Sequence, residues 1–346
     1  MTVLLLADID LSLPGGLETH VRGLAAGLTT RGHAVEIYTR SGSLPGFPTT
    51  DRIEPTRYDV IHYQGGLWPR GLAPGPRHVR TLHFCVAAKM ETYVRMTRLR
   101  TLANLANWRA VAEERRGCRW PVRMIAVAER VRRDFARWHG FDPSRAQVIP
   151  NGVGFDPPQE SRSSLRARHG IPEDARVLLT IGRDDFVKGY DLLARAWERS
   201  GAAGRGHTWV TVGGAAPVRA TGRLVTGPVP HREVVDWIHA ADAGALPSYY
   251  EGCSVALLEM LAGGLFALSH DVGNAAEILA TPDVGRILPR SETAWTSALR
   301  EALERVPGPR AATLSPEFGW SSISERTEAI YREVVAGASA GSGARS

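Results

Sequence analysis

The sequence predicts two open, doubly wound α/β sheets of parallel strands, and three observations carry that expectation. Short apolar runs alternate with segments of helical periodicity along most of the chain. The first run, Val3-Leu4-Leu5-Leu6-Ala7, is apolar without interruption, as a strand buried on both faces is. The pattern then starts afresh after a stretch rich in Pro, Gly and Asn, from Pro150-Asn151-Gly152 to Pro157-Pro158, which marks an interdomain connection.

Taken in order, a Gly-Gly loop follows the first run and leads into a helix whose apolar residues Leu17, Val21, Leu24, Ala25 and Leu28 share one face. Gly32 ends that helix, and residues 34–39 read as the second strand. Further strands are expected at 60–62, 79–83, 124–127 and 147–149, each separated by helical sequence. The second half repeats the alternation, with strands expected at 177–181, 208–212, 224–226, 243–246 and 265–269. The expected domains are 1–155 and 156–320, followed by a helix over 321–336 that packs back towards the first domain. Residues 337–346, made of Gly, Ala, Ser and Arg, read as a tail. Two such sheets would leave a cleft lined by the carboxyl ends of their strands, where ligands of these sheets bind.

The 346 residues carry 42 Lys and Arg against 36 Asp and Glu, a formal charge of +6. Residues 1–160 hold 22 basic and 15 acidic side chains, so the excess lies wholly in the first half. Within residues 85–123 alone, nine basic residues face three acidic ones. That segment reads as a solvated, core-packed helix, as a surface for anionic lipid headgroups, or as the wall of a pocket for an acidic acceptor. No reading helix or aromatic platform accompanies the charge, so nucleic acid is not expected as a partner. The most apolar stretch, residues 255–268, is too short to span a membrane and contains Glu259. Met1 leads straight into a strand without a basic leader, so a cytoplasmic location is expected. Cys85, Cys118 and Cys253 are odd in number and far apart, which argues against a disulfide framework or a Cys-based zinc site. Only two of the basic residues are Lys, Lys89 and Lys188.

Three loops could carry chemistry. In Leu13-Pro14-Gly15-Gly16-Leu17-Glu18-Thr19-His20, two glycines before a helix let backbone N–H groups approach an anion, although by itself the pair reads first as a plain strand-to-helix turn. The spacing differs from the G-x-G-x-x-G dinucleotide fingerprint. In Gly182-Arg183-Asp184-Asp185-Phe186-Val187-Lys188-Gly189, Arg183 offers a planar fork and Lys188 a point charge to a diphosphate. The alternative is a solvated loop in which Arg183 pairs with a neighbouring Asp. The most specific stretch runs from Pro247 through Glu251-Gly252-Cys253-Ser254-Val255-Ala256 to Glu259. Glu251 sits in a loop, residues 252–256 open a helix with unpaired N–H groups, and Glu259 lies a turn further on. A carboxylate flanked by Leu257, Leu258 and Leu261 is costly unless a ligand or a cation satisfies it.

Four motifs in order resemble the retaining, nucleotide-sugar-dependent glycosyltransferases of family four, which have the GT-B fold of two Rossmann-like domains. They are Gly15-Gly16-x-Glu18-x-His20 with Arg31-Gly32-His33, Val148-Ile149-Pro150-Asn151-Gly152-Val153, Gly182-Arg183 with Lys188-Gly189, and Glu251-x7-Glu259. The resemblance spans residues 3 to 280 and implies roles position by position. Gly15 and Gly16 would give N–H contacts to the donor phosphate, and Arg183 and Lys188 would neutralise the diphosphate. Glu251 would hold sugar hydroxyls beside Gly252, Cys253 and Ser254. Val255 and Ala256 would present N–H groups to the phosphate, and Glu259 would bind the ribose. His83 matches a histidine near the anomeric centre, or it is a hydrogen-bonded residue at a strand end. The base would sit near residues 227–231, chiefly against backbone.

The resemblance further implies same-face attack by an acceptor hydroxyl, with the leaving diphosphate taking its proton. It implies no protein nucleophile, no cofactor beyond the donor and no metal; Asp8-Ile9-Asp10 is read as a loop on the acceptor side, with Asp10, His20 and His83 lining it. Gly263-Gly264-Leu265-Phe266 and Gly273-Asn274 depart from the family pattern, which leaves the donor sugar open. The function expected is transfer from a UDP-sugar, such as UDP-glucose or UDP-N-acetylglucosamine and in preference to a GDP-sugar, to a small-molecule acceptor such as an aminocyclitol or other natural product. A membrane-lipid acceptor, with peripheral contact through 85–123, and a GT-B sugar-nucleotide epimerase are the alternatives.

Overall fold

The computed structural model describes residues 1–343 except 8–9, 12–14, 40, 66–71, 121 and 306–311, and side chains up to residue 338. The chain divides into two compact units, Met1–Gly152 with Glu317–Ser346, and Val153–Pro316. The division falls a few residues from the boundaries read in the sequence.

The first unit begins with β1 (Thr2–Ala7), α1 (Gly16–Thr30), β2 (Ala34–Tyr38), β3 (Thr49–Thr50) and β4 (Val60–Gly65). It continues with β5 (His78–Leu82), α2 (Val86–Arg95), α3 (Leu105–Gly117), β6 (Arg123–Ala126), α4 (Glu129–His139) and β7 (Ala146–Val148). The strands form one parallel sheet in the order β3-β2-β1-β4-β5-β6-β7. Val3 lies in register with Val35 on one side and Val60 on the other. That central position explains why residues 3–7 are fully buried and uniformly apolar.

The second unit holds α5 (Arg162–Arg168), β8 (Val177–Ile181), α6 (Tyr190–Ser200), β9 (Thr208–Ala220), β10 (Arg223–Gly227) and α7 (His231–Ala240). Then come β11 (Ala243–Leu246), α8 (Val255–Ala262), β12 (Ala267–Ser269), α9 (Ala275–Ile278), β13 (Gly285–Ile287) and α10 (Glu292–Glu304). Its sheet runs β10-β9-β8-β11-β12-β13. A buried ionic cluster pins α5 to this sheet: Arg166 donates to Asp242 at 2.7 Å, and Asp242 also accepts the Val177 N–H at 2.7 Å. Removing one partner of such a pair costs about 3–5 kcal/mol.

Each strand read from the sequence is present, and three features differ. Strands β3 and β13 are two or three residues long, too short to leave a period in the sequence. Strand β9 continues eight residues past the expected end, and β10 pairs both with its start (Leu224 with Val210) and with its returning arm (Leu224 with Arg219). The exposed arm contains Pro217 and Arg219, residues suited to an unpaired sheet edge. The third difference is at the carboxyl end, where helix α11 (Trp320–Gly343) includes most of the stretch read as a tail. Ala336, Ala338 and Ala340 have high helix propensity, which the reading of this stretch set below its Gly and Ser content.

Helix α11 belongs to the first unit. A Cβ on Gly23 or Gly27 of α1 would meet the Trp320 ring at 2.0 Å or Ser324 Oγ at 1.9 Å, so two glycines four apart let the helices approach. Tyr331 of α11 reaches His62 on β4 at 2.7 Å. Among the described residues, no helix is long and apolar enough to cross a membrane.

In both sheets the strand order reverses beside the first strand of the unit. In the first unit β1 lies between β2 and β4, and in the second β8 lies between β9 and β11. Open parallel sheets bind ligands at the carboxyl ends of strands where the order reverses. The loops singled out in the sequence follow β1, β8 and β11.

Candidate active site

In the second unit, the loop after β8 ends in a short 3₁₀ turn, Phe186–Lys188, capped by Asp185 accepting from the Val187 N–H. The turn places Lys188 Nζ 2.8 Å from Glu251 Oε1. Ser248 Oγ donates to the same carboxylate oxygen at 2.7 Å. Lys188 and Glu251 are both mostly shielded, whereas Arg183 is exposed and has no side-chain partner among the described residues. Two of the predicted donor groups therefore hold each other, and a second cation, Arg183, is open to an anion.

The loop carrying Glu251 is fixed along its length. The Tyr249 N–H donates to Val187 O at 2.7 Å, its hydroxyl donates to Asp191 Oδ1 at 2.9 Å, and Arg290 donates to its carbonyl at 2.6 Å. Behind it stands His270, fully buried, which the sequence reading missed. Trp295 Nε1–H donates to His270 Nε2 at 2.9 Å, so the proton sits on Nδ1 and is given to the Ser248 carbonyl at 3.1 Å. Burial pushes this imidazole down to about 4, which keeps it neutral and its tautomer fixed. The only hint in sequence would have been a histidine directly after a predicted strand. Gly273 is close on the other side, where a Cβ would come within 2.6 Å of Gly252 O.

Helix α8 opens at Ser254, whose side chain accepts from the Leu257 N–H. The N–H groups of Val255 and Ala256 remain without a partner among the described residues, which leaves the positive end of the helix open to an anion. Gly252, Cys253 and Ser254 are buried beneath this end. Glu259 is not the isolated carboxylate its neighbours suggested. His231, at the start of α7, reaches its Oε1 at 2.7 Å. The two line a pocket with Gly154, Phe155, Asp156 and His239, all of the second unit. This joins Glu259 to the 227–231 segment expected to face the base.

In the first unit, Gly15 precedes α1 in extended conformation, and no side chain caps the helix. Leu13, Pro14, Asp8 and Ile9 lie outside the described residues; Asp10 forms an isolated parallel bridge with Ser41. His20, on the first turns of α1, is buried, with its ring 4.8 Å edge-on to that of His83. Strand β5 ends at Leu82, so His83 lies just beyond it, its Nε2 3.1 Å from Gln64 Oε1. His62 completes the group through Thr81 Oγ1 and the Tyr331 hydroxyl, each at 2.7 Å. Burial pushes His20 down to about 4 although Asn151 and Gln64 beside it favour its proton, and it holds His62 and His83 well below the usual value. The cluster is therefore a set of neutral imidazoles gathered from α1, β4 and the residue after β5. His62 and Gln64 were not singled out in the sequence, because a polar side chain inside a buried strand leaves no pattern of its own.

Residues 175–305 match the family model described as glycosyl transferases group 1, and residues 45–156 match that of glycosyltransferase family 4. A D-inositol 3-phosphate glycosyltransferase of Kineococcus radiotolerans is 28% identical, over 93% of this chain and 91% of the relative. Among solved structures, WaaG, a glycosyltransferase involved in lipopolysaccharide biosynthesis, aligns with a TM-score of 0.69 at 20% identity, covering 96% of this chain and 98% of its own. HepE of Anabaena, solved in complex with UDP and glucose, aligns with a TM-score of 0.66 at 16% identity over 97% and 99% of the two chains. At these identities the two structures speak to the fold alone.

Proposed function

Because the chain belongs to the family 4 glycosyltransferases of GT-B fold, we propose that it is a retaining transferase that moves the sugar of a UDP-sugar to a hydroxyl of a small polyol. UDP-glucose or UDP-N-acetylglucosamine is the donor class, and a cyclitol or related natural product is the acceptor class. The observation that carries this reading is the convergence of Lys188, Ser248 and Glu251 beside the open N-terminus of α8, with Glu259 one turn further on. The UDP complex of HepE and the inositol phosphate acceptor named for the Kineococcus relative support it.

In this mechanism Arg183, Lys188 and the Val255 and Ala256 N–H groups bind the diphosphate. They stabilise the charge that grows on it as the anomeric C–O bond breaks, which is the largest contribution such a site makes. These groups supply the positive charge that a cation would otherwise bring. Glu251, held by Ser248, accepts hydrogen bonds from sugar hydroxyls, and Glu259 accepts them from the ribose. The acceptor hydroxyl forms the new C–O bond on the face the nucleotide leaves and passes its proton to the departing diphosphate. Neutral His20 and His83, with Asp10 and the Gly15-Gly16 turn, serve the first unit's share of substrate binding.

Incubation with UDP- and GDP-sugars and a cyclitol acceptor pool, followed by NMR of nucleotide release and anomeric configuration, tests this. Release of UDP with retained configuration is expected. An inverted product, an epimerised sugar nucleotide, or no release with any acceptor overturns it.

One observation favours a lipid acceptor as the second reading. Leu99, Leu102, Leu105 and Trp108 are 60%, 43%, 77% and 49% exposed, amid Arg98, Arg100 and Arg109. Apolar side chains interleaved with cations suit an anionic bilayer surface. Co-sedimentation with anionic vesicles at low salt, lost in Leu105→Ser with Trp108→Ser, is the outcome this reading requires; no binding at low salt removes it.

A further inference from the structure

Three residues that no sequence spacing would group meet inside the first unit. Cys85 precedes α2, Glu114 lies near the end of α3, and His139 is the last residue of α4. All three side chains are nearly or wholly buried. Cys85 Sγ is 3.7 Å from His139 Nε2 and 3.9 Å from Glu114 Oε2, and the latter two atoms are 3.0 Å apart.

These separations are long for thiol hydrogen bonds but close to the edges of a coordination tetrahedron. With zinc at about 2.3 Å from sulfur and about 2.0 Å from nitrogen and oxygen, tetrahedral angles put S···N and S···O near 3.5 Å and N···O near 3.3 Å. Shifts of under about half an ångström would bring the three donors onto one ion. The ligand types, thiolate, imidazole and carboxylate, are those zinc takes. The second oxygen of Glu114 is already fixed, accepting the Val86 N–H at 2.8 Å, as outer hydrogen bonds fix ligands in metal sites.

We propose that Cys85, Glu114 and His139 form a structural site for a divalent transition metal, with zinc the natural occupant and water in the fourth position. Zinc binding forms a metal–sulfur bond and releases the Cys85 thiol proton to solvent; His139 binds through neutral Nε2. The site would clamp the N-terminus of α2 to α3 and α4, two residues beyond His83, and it takes no part in the donor chemistry. The sequence argued against a Cys-based zinc site because such sites announce themselves by paired cysteines. A single cysteine with ligands 29 and 54 residues later leaves no such pattern.

The test is cobalt titration of the full chain after chelator treatment and desalting. The expected result is one equivalent bound, with the thiolate-to-cobalt charge-transfer absorption and the intense visible bands of four-coordinate cobalt, both erased by zinc. Zinc addition should also raise the thermal midpoint by several degrees. Cys85→Ser should abolish the charge-transfer band, and Glu114→Gln should weaken binding at least tenfold, with circular dichroism unchanged; Cys118→Ser should keep both signals. If Cys85→Ser does not fold, the wild-type spectrum and Glu114→Gln decide the matter. Absence of the thiolate band in folded wild type, or a band unaffected by Cys85→Ser or Glu114→Gln, overturns the proposal.

Discussion

Gly189→Ala isolates the link between backbone packing and the donor site. Gly189 follows Lys188 with φ of +67°, and a Cβ there would lie 2.0 Å from the Pro247 carbonyl oxygen. A relaxed carbon–oxygen contact needs about 3.3 Å, so the two loops must separate by more than an ångström. Pro247 leads directly into Ser248 and Glu251, and the Tyr249 N–H to Val187 bond spans the same gap. A displacement of that size at a positioned group costs on the order of 10²-fold in rate. Gly201→Ala is the matched control. Its φ is +72°, but the nearest atom to a new Cβ is Arg205 Nη1 at 3.8 Å, so it bears only the left-handed backbone penalty. Gly201→Ala should lose roughly 1–2 kcal/mol in urea unfolding, and Gly189→Ala more than that, because the overlap adds to the backbone penalty. Only Gly189→Ala should lose UDP affinity by calorimetry and about 10²-fold in UDP-sugar turnover. Equal UDP affinity and turnover in the two variants would refute the claim that this packing holds the site.

Two further outcomes follow from the same geometry. Lys188→Ala and Glu259→Ala should each lower turnover by about 10²–10³-fold with unchanged circular dichroism, because neither side chain supports the core; near wild-type activity in both removes the donor-site assignment. Stability should also fall on mild acidification. His20 and His270 are each held at about 4 by burial, below the usual value near 6.5, so the unfolded chain takes up protons first as pH drops. Their contribution is complete above about pH 6.5 and is lost from there towards about pH 4, by up to roughly 1.4 kcal/mol per pH unit for each group. Urea midpoints measured at pH 7.5, 6 and 5 should decline; a flat profile would show that these imidazoles are not neutral and buried.

The alternation of apolar runs and helices sufficed for two doubly wound sheets, because a central strand such as residues 3–7 must be apolar on both faces and a covering helix on only one. Glycines before a helix, cations after a strand and carboxylates around a helix start were legible for a similar reason. Their chemistry depends on local backbone direction, which nearby residues set. Four such motifs in order also carried the resemblance to a family that the comparisons bear out. What required the tertiary structure was every partnership across distant segments. His270 with Trp295 and the Ser248 carbonyl, His231 with Glu259, Tyr331 with His62, and Cys85 with Glu114 and His139 each join groups at least 22 residues apart. A hydrogen bond or a metal–ligand bond depends on tenths of an ångström, and no periodicity in the chain encodes a distance set by the packing of whole elements. Local pattern determined what each segment is, and only packing decided which segments meet.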